Sequence, residues 1–425
     1  MMRKSLVAII LLGVVLFSCK KEQDTLPPVI SFIAPGVNTI INIPDTLDVK
    51  VQVNDDRIIH FVVISIVNED KIPLTEAKSF APFLAEFTAV HSFVIDSKTI
   101  ASGVYSIQVL AFDGFNTKTG FLDIEINEIP RSLEGFMAVT APLSFQSEIF
   151  RLGQDFSIDS QMSFPQGCQF TAVHPVWERF LFAGGDPSVL TAINPFTFVT
   201  EWELPATPPR PQFTAIEAGK DILFATANGD AGIVDIDGNV TLRTFPYNNM
   251  KILCLAADEN YMYAAQQSTG GTNNELTLFY RETGAVKSRK LVAERISGIV
   301  ALDDQALVFF SPGNRTEIFH YNPESFILNK LNEIEGEILV SAEKVSDDQI
   351  IICTDAAIRL FRPGINRLDM LLEQPYRFCR YDALGNRLFL AKDYEMEVRN
   401  FTTLDLTEEI SFNDMIVDFR ILYNK

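Results

Sequence analysis

The pentapeptide "QFTAV" at residues 169–173 returns as "QFTAI" at residues 212–216. Each copy opens the same pattern: an apolar strand, a turn of four to six residues, then a second apolar strand ending in a small residue. The pattern continues through "ILCLAADENYMYAAQQ", "SGIVALDDQALVFFS", "ILVSAEKVSDDQIIICTD" and "FCRYDALGNRLFLAKD". Strands therefore start near 169, 212, 252, 297, 338 and 378, at intervals of 43, 40, 45, 41 and 40 residues. A unit this short cannot bury its apolar strands alone and has to stack on its neighbours. Two more strands follow in each unit, such as "VLTAINP" and "FVTEWELP" in the first. Four strands per unit at this period predict a ring of small sheets, a β-propeller.

The two ends of the repeat predict how the ring closes. Six full units span about 168 to 412. Before them, "GFMAVT", "SEIFRL" and "SQMSFP" supply three strands without a first; after them, "MIVDFRILYNK" supplies one strand without successors. Paired together they make a seventh blade and remove the exposed edges of an open array. The expectation for 130–425 is a seven-bladed propeller closed by its N- and C-terminal strands, with six and eight blades as the neighbouring counts. The stretch "AVHPVWERFLFA" in the first unit resembles the YVTN and quinoprotein-like repeat of the WD40-like superfamily. The GH…WD signature and the sialidase Asp-box are absent, and the pair Gly184-Gly185 occurs once, unlike kelch. The resemblance implies the superfamily and no specialised family within it.

Residues 27–129 follow a different rhythm. In "TLDVKVQVND", Leu47, Val49, Val51 and Val53 alternate with Asp48, Lys50, Gln52 and Asn54, the period-2 mark of a half-buried strand. Tyr105, Ile107, Val109 and Ala111 repeat it, as do Leu122, Ile124 and Ile126, while "HFVVISIV" reads as a central strand. Six to eight strands in about 100 residues predict an antiparallel sandwich. The layout "PPVISFIAP … LDVKVQVNDD … YSIQVLAFDGFN" is similar to bacterial immunoglobulin-like and cadherin-like modules, which implies a spacer role. Asp55, Asp56 and Asp113 each end a strand and are the Ca²⁺ candidates; turn formation by aspartate is the competing reading.

The N-terminus predicts an address. Arg3 and Lys4 precede an apolar run from Leu6 to Phe17, too short to span a bilayer and of the length of a secretory signal. Leu16-Phe17-Ser18-Cys19 resembles a lipobox. That resemblance implies a signal peptide over 1–18, diacylglycerol on the Cys19 thiol, and N-acylation of the amine freed by cleavage after Ser18. Residues 19–26 would form a charged tether, and Lys20 to Asp24 resembles the export signals of surface-exposed lipoproteins. The implied location is the cell envelope, as an outer-membrane lipoprotein.

Charge narrows the partners. The formal net charge is −20, and loss of Arg3 and Lys4 with the signal makes it −22. Nucleic-acid phosphates need a basic footprint, so nucleic acid is excluded. Attachment to the outer membrane falls to the acyl chains, since a basic face for anionic lipid is missing. Besides Cys19, Cys168, Cys254, Cys353 and Cys379 lie in apolar runs and read as core thiols.

No HExxH, GxSxG, P-loop or GxGxxG occurs. His174 and His320 have no obvious partner, and Asp303-Asp304 and Asp347-Asp348 occupy the same hairpin turn of successive units. Trp177 and Trp202 read as fillers between blades. In a propeller, ligands meet the face built by the loops from strand two to three and from each blade to the next. Candidate contacts there are Arg210, Gln266, Asn273, Asn314, Arg315, Arg377 and Tyr394. The leading expectation is a non-catalytic binding or scaffolding platform for an envelope protein or glycan, with no cofactor and no metal. The alternatives are a propeller lyase or glycan hydrolase, or a component of an outer-membrane assembly machine.

Overall fold

The computed structural model describes residues 25–143, 145–245, 249–271 and 273–425. The lipobox and its cysteine lie outside them. The chain forms two compact units divided between Pro130 and Arg131.

The first unit has two sheets. Three strands, Val29–Ala34, Asp45–Ile59 and Leu84–Ile95, pair antiparallel in that order. Five others lie in the order Ile40–Asn42, Thr117–Asn127, Gly103–Phe112, Phe61–Val67, Lys78–Phe80. Ile40–Asn42 pairs parallel to its neighbour, the others antiparallel. Both sheets turn apolar faces to one core: Leu47, Val49, Val51 and Val53 from one, Ile64, Ile107, Val109 and Ile124 from the other. The alternation that defined the strand in the sequence is thus the alternation of core and solvent. Asp55 and Asp56 sit in a stretch of irregular pairing inside Asp45–Ile59, not at a strand end as expected, because the register shifts between Asn54 and Ile59.

Among the described residues, the second unit contains seven four-stranded antiparallel sheets and is a β-propeller-type array. Six sheets each use four consecutive strands. Their first strands are Cys168–His174, Phe213–Ala218, Met250–Ala257, Ile296–Leu302, Leu339–Ser346 and Phe378–Asp382. The closing sheet orders Met415–Tyr423, Leu133–Leu143, Gln146–Leu152 and Ile158–Phe164, so both ends of the unit share it. Phe419 pairs with Ala138 and Ile421 with Phe136. Each first strand abuts the next, and Met415–Tyr423 abuts both Phe378–Asp382 and Cys168–His174, so the ring of first strands is continuous.

Second strands such as Arg179–Gly184, Ile222–Thr226 and Arg387–Ala391 are buried apart from the leading arginines. A sheet packs on each side of them, so a continuous apolar run replaces alternation. Fourth strands such as Thr200–Pro205 are polar and largely exposed. Between the first two sheets, Leu181 and Leu190 meet Phe213 and Phe224 in one core. The two literal repeats are not superposable residue for residue. The bulge falls between Cys168 and Phe170 in one sheet and between Phe213 and Ala215 in the next. Phe170 and Ala215, opposite Ala183 and Ala225, hold equivalent places, two residues out of step with the matching letters.

Candidate binding face and axial charge cluster

The loops from second to third strands and from fourth strands to the next sheet share one face of the propeller, by the up-and-down order of the strands. The seven expected contacts divide sharply there. Arg210 is a fastener: its backbone N–H donates to Asn228 Oδ1 (3.1 Å) and its Nη1 to the Ala227 carbonyl (3.0 Å). Arg315 lies 3.2 Å from Glu317 and 3.9 Å from Glu333. Arg377 donates to Asp393 (3.1 Å) and lies 3.0 Å from Met415 Sδ. Gln266 is buried in the strand Tyr261–Ser268, so the expectation of a surface contact is corrected there, and its Oε1 has no hydrogen-bond partner. Asn273 closes its own turn with Ser268, and the Asn314 carbonyl accepts the Gly336 N–H; both residues remain exposed. Tyr394 is 55 % exposed.

The same face carries apolar side chains that the sequence reading passed over as connections. Phe245 is 88 % exposed, Phe145 67 % and Ile338 38 %. Aromatics inside turn segments such as "RTFPYNN" were the signal, since a turn needs no such side chain. Two carboxylates on this face are already engaged. Glu337 accepts from Arg359 and from Thr354 Oγ1 (2.7 Å), and the Arg359 bond holds it below the usual range. Burial acts upward on Glu397, and its bonds to Lys392, Arg399 and Tyr376 overcome that and hold it low. Gly229, at φ +88° in the loop Thr226–Ala231, passes so close to the Met250 carbonyl that a Cβ would lie 2.3 Å from it.

The opposite face holds the histidines and turn acids, and each has structural work. His174 is buried at the end of its strand, Nδ1 accepting the Trp177 N–H (3.2 Å) and Nε2 lying 3.3 Å from the Lys220 carbonyl. Its ring stacks on Trp177 at 3.9 Å, and burial pushes its pKa down, so it is neutral. His320, in the strand Arg315–Asn322, bonds Gln305. The Asp303 N–H donates to Asp347 (3.2 Å), which pairs with Lys344 (2.7 Å), tying two neighbouring turns. Trp202 donates to the Ile236 carbonyl (2.9 Å) and packs on Gly238. In the first unit, Asp113 accepts N–H groups of Phe115 and Asn116, both at 2.6 Å, and Asp55 accepts that of Arg57 (2.7 Å). Burial, then Asp113's charge, raise Asp55. Among the described residues no group of three or more His, Cys, Asp or Glu is placed to hold a metal ion.

A cluster missed entirely in the sequence lies along the ring of first strands. Asp418 accepts from Thr171 Oγ1 (2.6 Å), Arg380 Nη2 (2.5 Å) and Arg420 Nη2 (2.8 Å). Arg380 also donates to the Phe419 carbonyl (3.1 Å) and approaches Glu343 to 3.8 Å. Four sheets contribute here: the fifth through Glu343, the sixth, the closing one and the first. Burial acts upward on Asp418, and Arg380 and Arg420 outweigh it and hold it ionised. Arg420 is lowered by burial and by the like charge of Arg380. Glu343 is raised by burial against the pull of both arginines.

Glu217 ends the series with one buried oxygen, Oε2, that has no hydrogen-bond partner. Burial pushes its carboxyl from an ordinary 4.5 up to about 7, against Arg281, the Ala257 amide and Arg420. The folded chain therefore keeps this proton where the unfolded chain has lost it. The stability is fully present below about pH 4.5 and is lost as pH rises through about 7. At ~1.4 kcal/mol per unit the upper bound is about 3.5 kcal/mol, less for the solvent that still reaches the group. Glu217→Gln is expected to flatten this part of the pH dependence and to be more stable than wild type at pH 8. Urea midpoints at pH 5 and pH 8 check it; parallel losses in both proteins would assign the slope elsewhere.

No protein-family model matches the chain, and no curated protein matches it. Solved structures do. A quinoprotein alcohol dehydrogenase-like protein from Bacteroides thetaiotaomicron shares 11% identity, covering 92% of this chain and 99% of its own, at a TM-score of 0.47. BamB from Moraxella catarrhalis shares 12%, covering 67% and 92%, at 0.42. The Pan2 WD40 domain of Neurospora crassa shares 9%, covering 55% and 75%, at 0.45. These are likenesses of fold alone.

Proposed function

We propose that this chain is a lipid-anchored envelope protein in which an immunoglobulin-like sandwich precedes a seven-bladed propeller, and that the propeller is a non-catalytic platform for an envelope protein or glycan. The observation that carries the platform reading is the contrast on the loop face. Glu337, Glu397 and Asp393 are paired with Arg359, Arg399 and Arg377, while Phe245, Phe145 and Tyr394 stand in solvent. Catalysis by acid and base needs convergent groups with free protons to move. Binding needs exposed aromatic anchors with a polar rim, which Asn273 and Asn314 supply. The address rests on the lipobox and on the run from Leu6 to Phe17.

The double variant Phe245→Asp/Tyr394→Asp tests the platform. Both side chains are exposed, so folding is expected to survive. Partner recovered after crosslinking in cells is expected to fall at least about tenfold, the consequence of losing anchors worth roughly 1.4 kcal/mol or more together. Unchanged recovery, with tryptophan fluorescence reporting a folded propeller, would move the platform to another surface.

A further inference from the structure

One end of the first unit gathers a cluster of exposed apolar side chains. Ile58, Phe83, Leu84 and Phe115 are 50 to 59 % exposed, Leu26 is 61 % and Phe61 37 %. Backbone contacts bring them to one place. The Phe83 N–H donates to the Ile59 carbonyl (3.0 Å), and the His60 N–H to the Phe112 carbonyl (2.7 Å). Rings of His60 and Phe83 lie 5.7 Å apart, those of Phe61 and Phe112 5.0 Å, and Arg57 stands over Phe115 at 5.3 Å. The acids of this end are turned to their own loops, Asp113 onto Phe115 and Asn116 and Asp55 onto Arg57, which leaves Asp56 as the exposed carboxylate among the three.

This is also the end where the chain comes in. Asn116 Nδ2 donates to the Leu26 carbonyl (3.3 Å), which fixes the incoming segment beside Phe115. Cys19 is seven residues before Leu26. Seven residues reach at most about 25 Å when fully extended. A bilayer holding acyl chains on Cys19 is therefore held within that distance of the apolar end. The opposite end of the same strands is a further ~20 Å away, at ~3.3 Å per residue along Phe61–Val67.

We infer that this apolar end seats on the bilayer surface, with Phe83 and Phe115 entering the head-group and acyl boundary beside the anchor. The inference rests on the lipid-anchor reading and adds a second hold to it. A tether so short raises the local concentration of the apolar end at the membrane, so a few side chains suffice where they would fail on a free protein. The chain's strong negative charge makes this an apolar contact and not an attraction to anionic lipid.

Nitroxide labels test it on the full acylated protein bound to phosphatidylcholine vesicles. Phe83→Cys and Phe115→Cys place labels at the apolar end, and Glu69→Cys places one in the exposed turn at the other end of Phe61–Val67. The native thiols at Cys254 and Cys353 are pushed by burial up to about 12, and burial raises Cys168 and Cys379 as well, so they stay unlabelled. On vesicles, labels at 83 and 115 are expected to collide with oxygen several-fold more than with a water-soluble nickel chelate, and the label at 69 the reverse. Labels at 83 and 115 that remain open to the chelate on vesicle-bound protein overturn the inference and leave the anchor standing. Shielding that is the same with and without vesicles overturns it too, in favour of a second copy or a protein cover. Absence of acyl mass on Cys19 sinks the anchor reading first and this inference with it.

Discussion

Asp418→Ala is expected to lower the stability of the propeller unit by about 3–5 kcal/mol, a large part of the ~5–15 kcal/mol that a domain has. The reason is the company the carboxylate keeps. It is 11 % exposed and sits between the guanidinium groups of Arg380 and Arg420, with Thr171 on its other side. Without it, two enclosed positive charges face each other, and the bridge between the sixth, closing and first sheets is gone. Both tryptophans, Trp177 and Trp202, lie in this unit, so their fluorescence reads its unfolding without interference from the first unit. The triple variant Asp418→Ala/Arg380→Met/Arg420→Met is expected to recover much of the loss, since apolar replacements of similar volume remove the uncompensated charges. A urea midpoint for Asp418→Ala within error of wild type would show that the ring closes without this cluster.

The second large effect concerns Cys19. Each buried CH₂ of an acyl chain contributes about 0.8 kcal/mol, and stable attachment takes more than one chain. Cys19→Ala removes every chain at once, so the protein is expected to pass from the membrane fraction to the soluble fraction. Radiolabelled palmitate is expected to mark wild type and not the variant. Equal labelling of the two, or wild type recovered in the soluble fraction, would end the anchor reading.

The repeat was readable because each blade's second strand is buried on both faces and so announces itself as an apolar run. Strand starts expected near 169, 212, 252, 297, 338 and 378 occur at 168, 213, 250, 296, 339 and 378. The closing sheet followed from an unpaired strand at one end and three at the other. Bulges were not readable, and they put the matching "QFTAV" and "QFTAI" two residues out of step. The axial cluster escaped for a different reason. Thr171 and Asp418 are 247 residues apart, and charged residues such as Glu343 and Arg380 come from separate repeats. Each looks like an isolated polar residue in an apolar strand until the ring brings them together. Arg210, Arg315 and Arg377 lie near the loop face, but their type could not tell a fastener from a contact.

The platform itself is tested most directly by a photoreactive phenylalanine analogue placed at Phe245 on the loop face and, separately, at Leu384 on the opposite face, where 49 % of the residue is exposed. Irradiation in cells is expected to give a discrete adduct from position 245 and none from position 384. An adduct from 384 alone, or none from 245, would contradict a binding platform on the loop face.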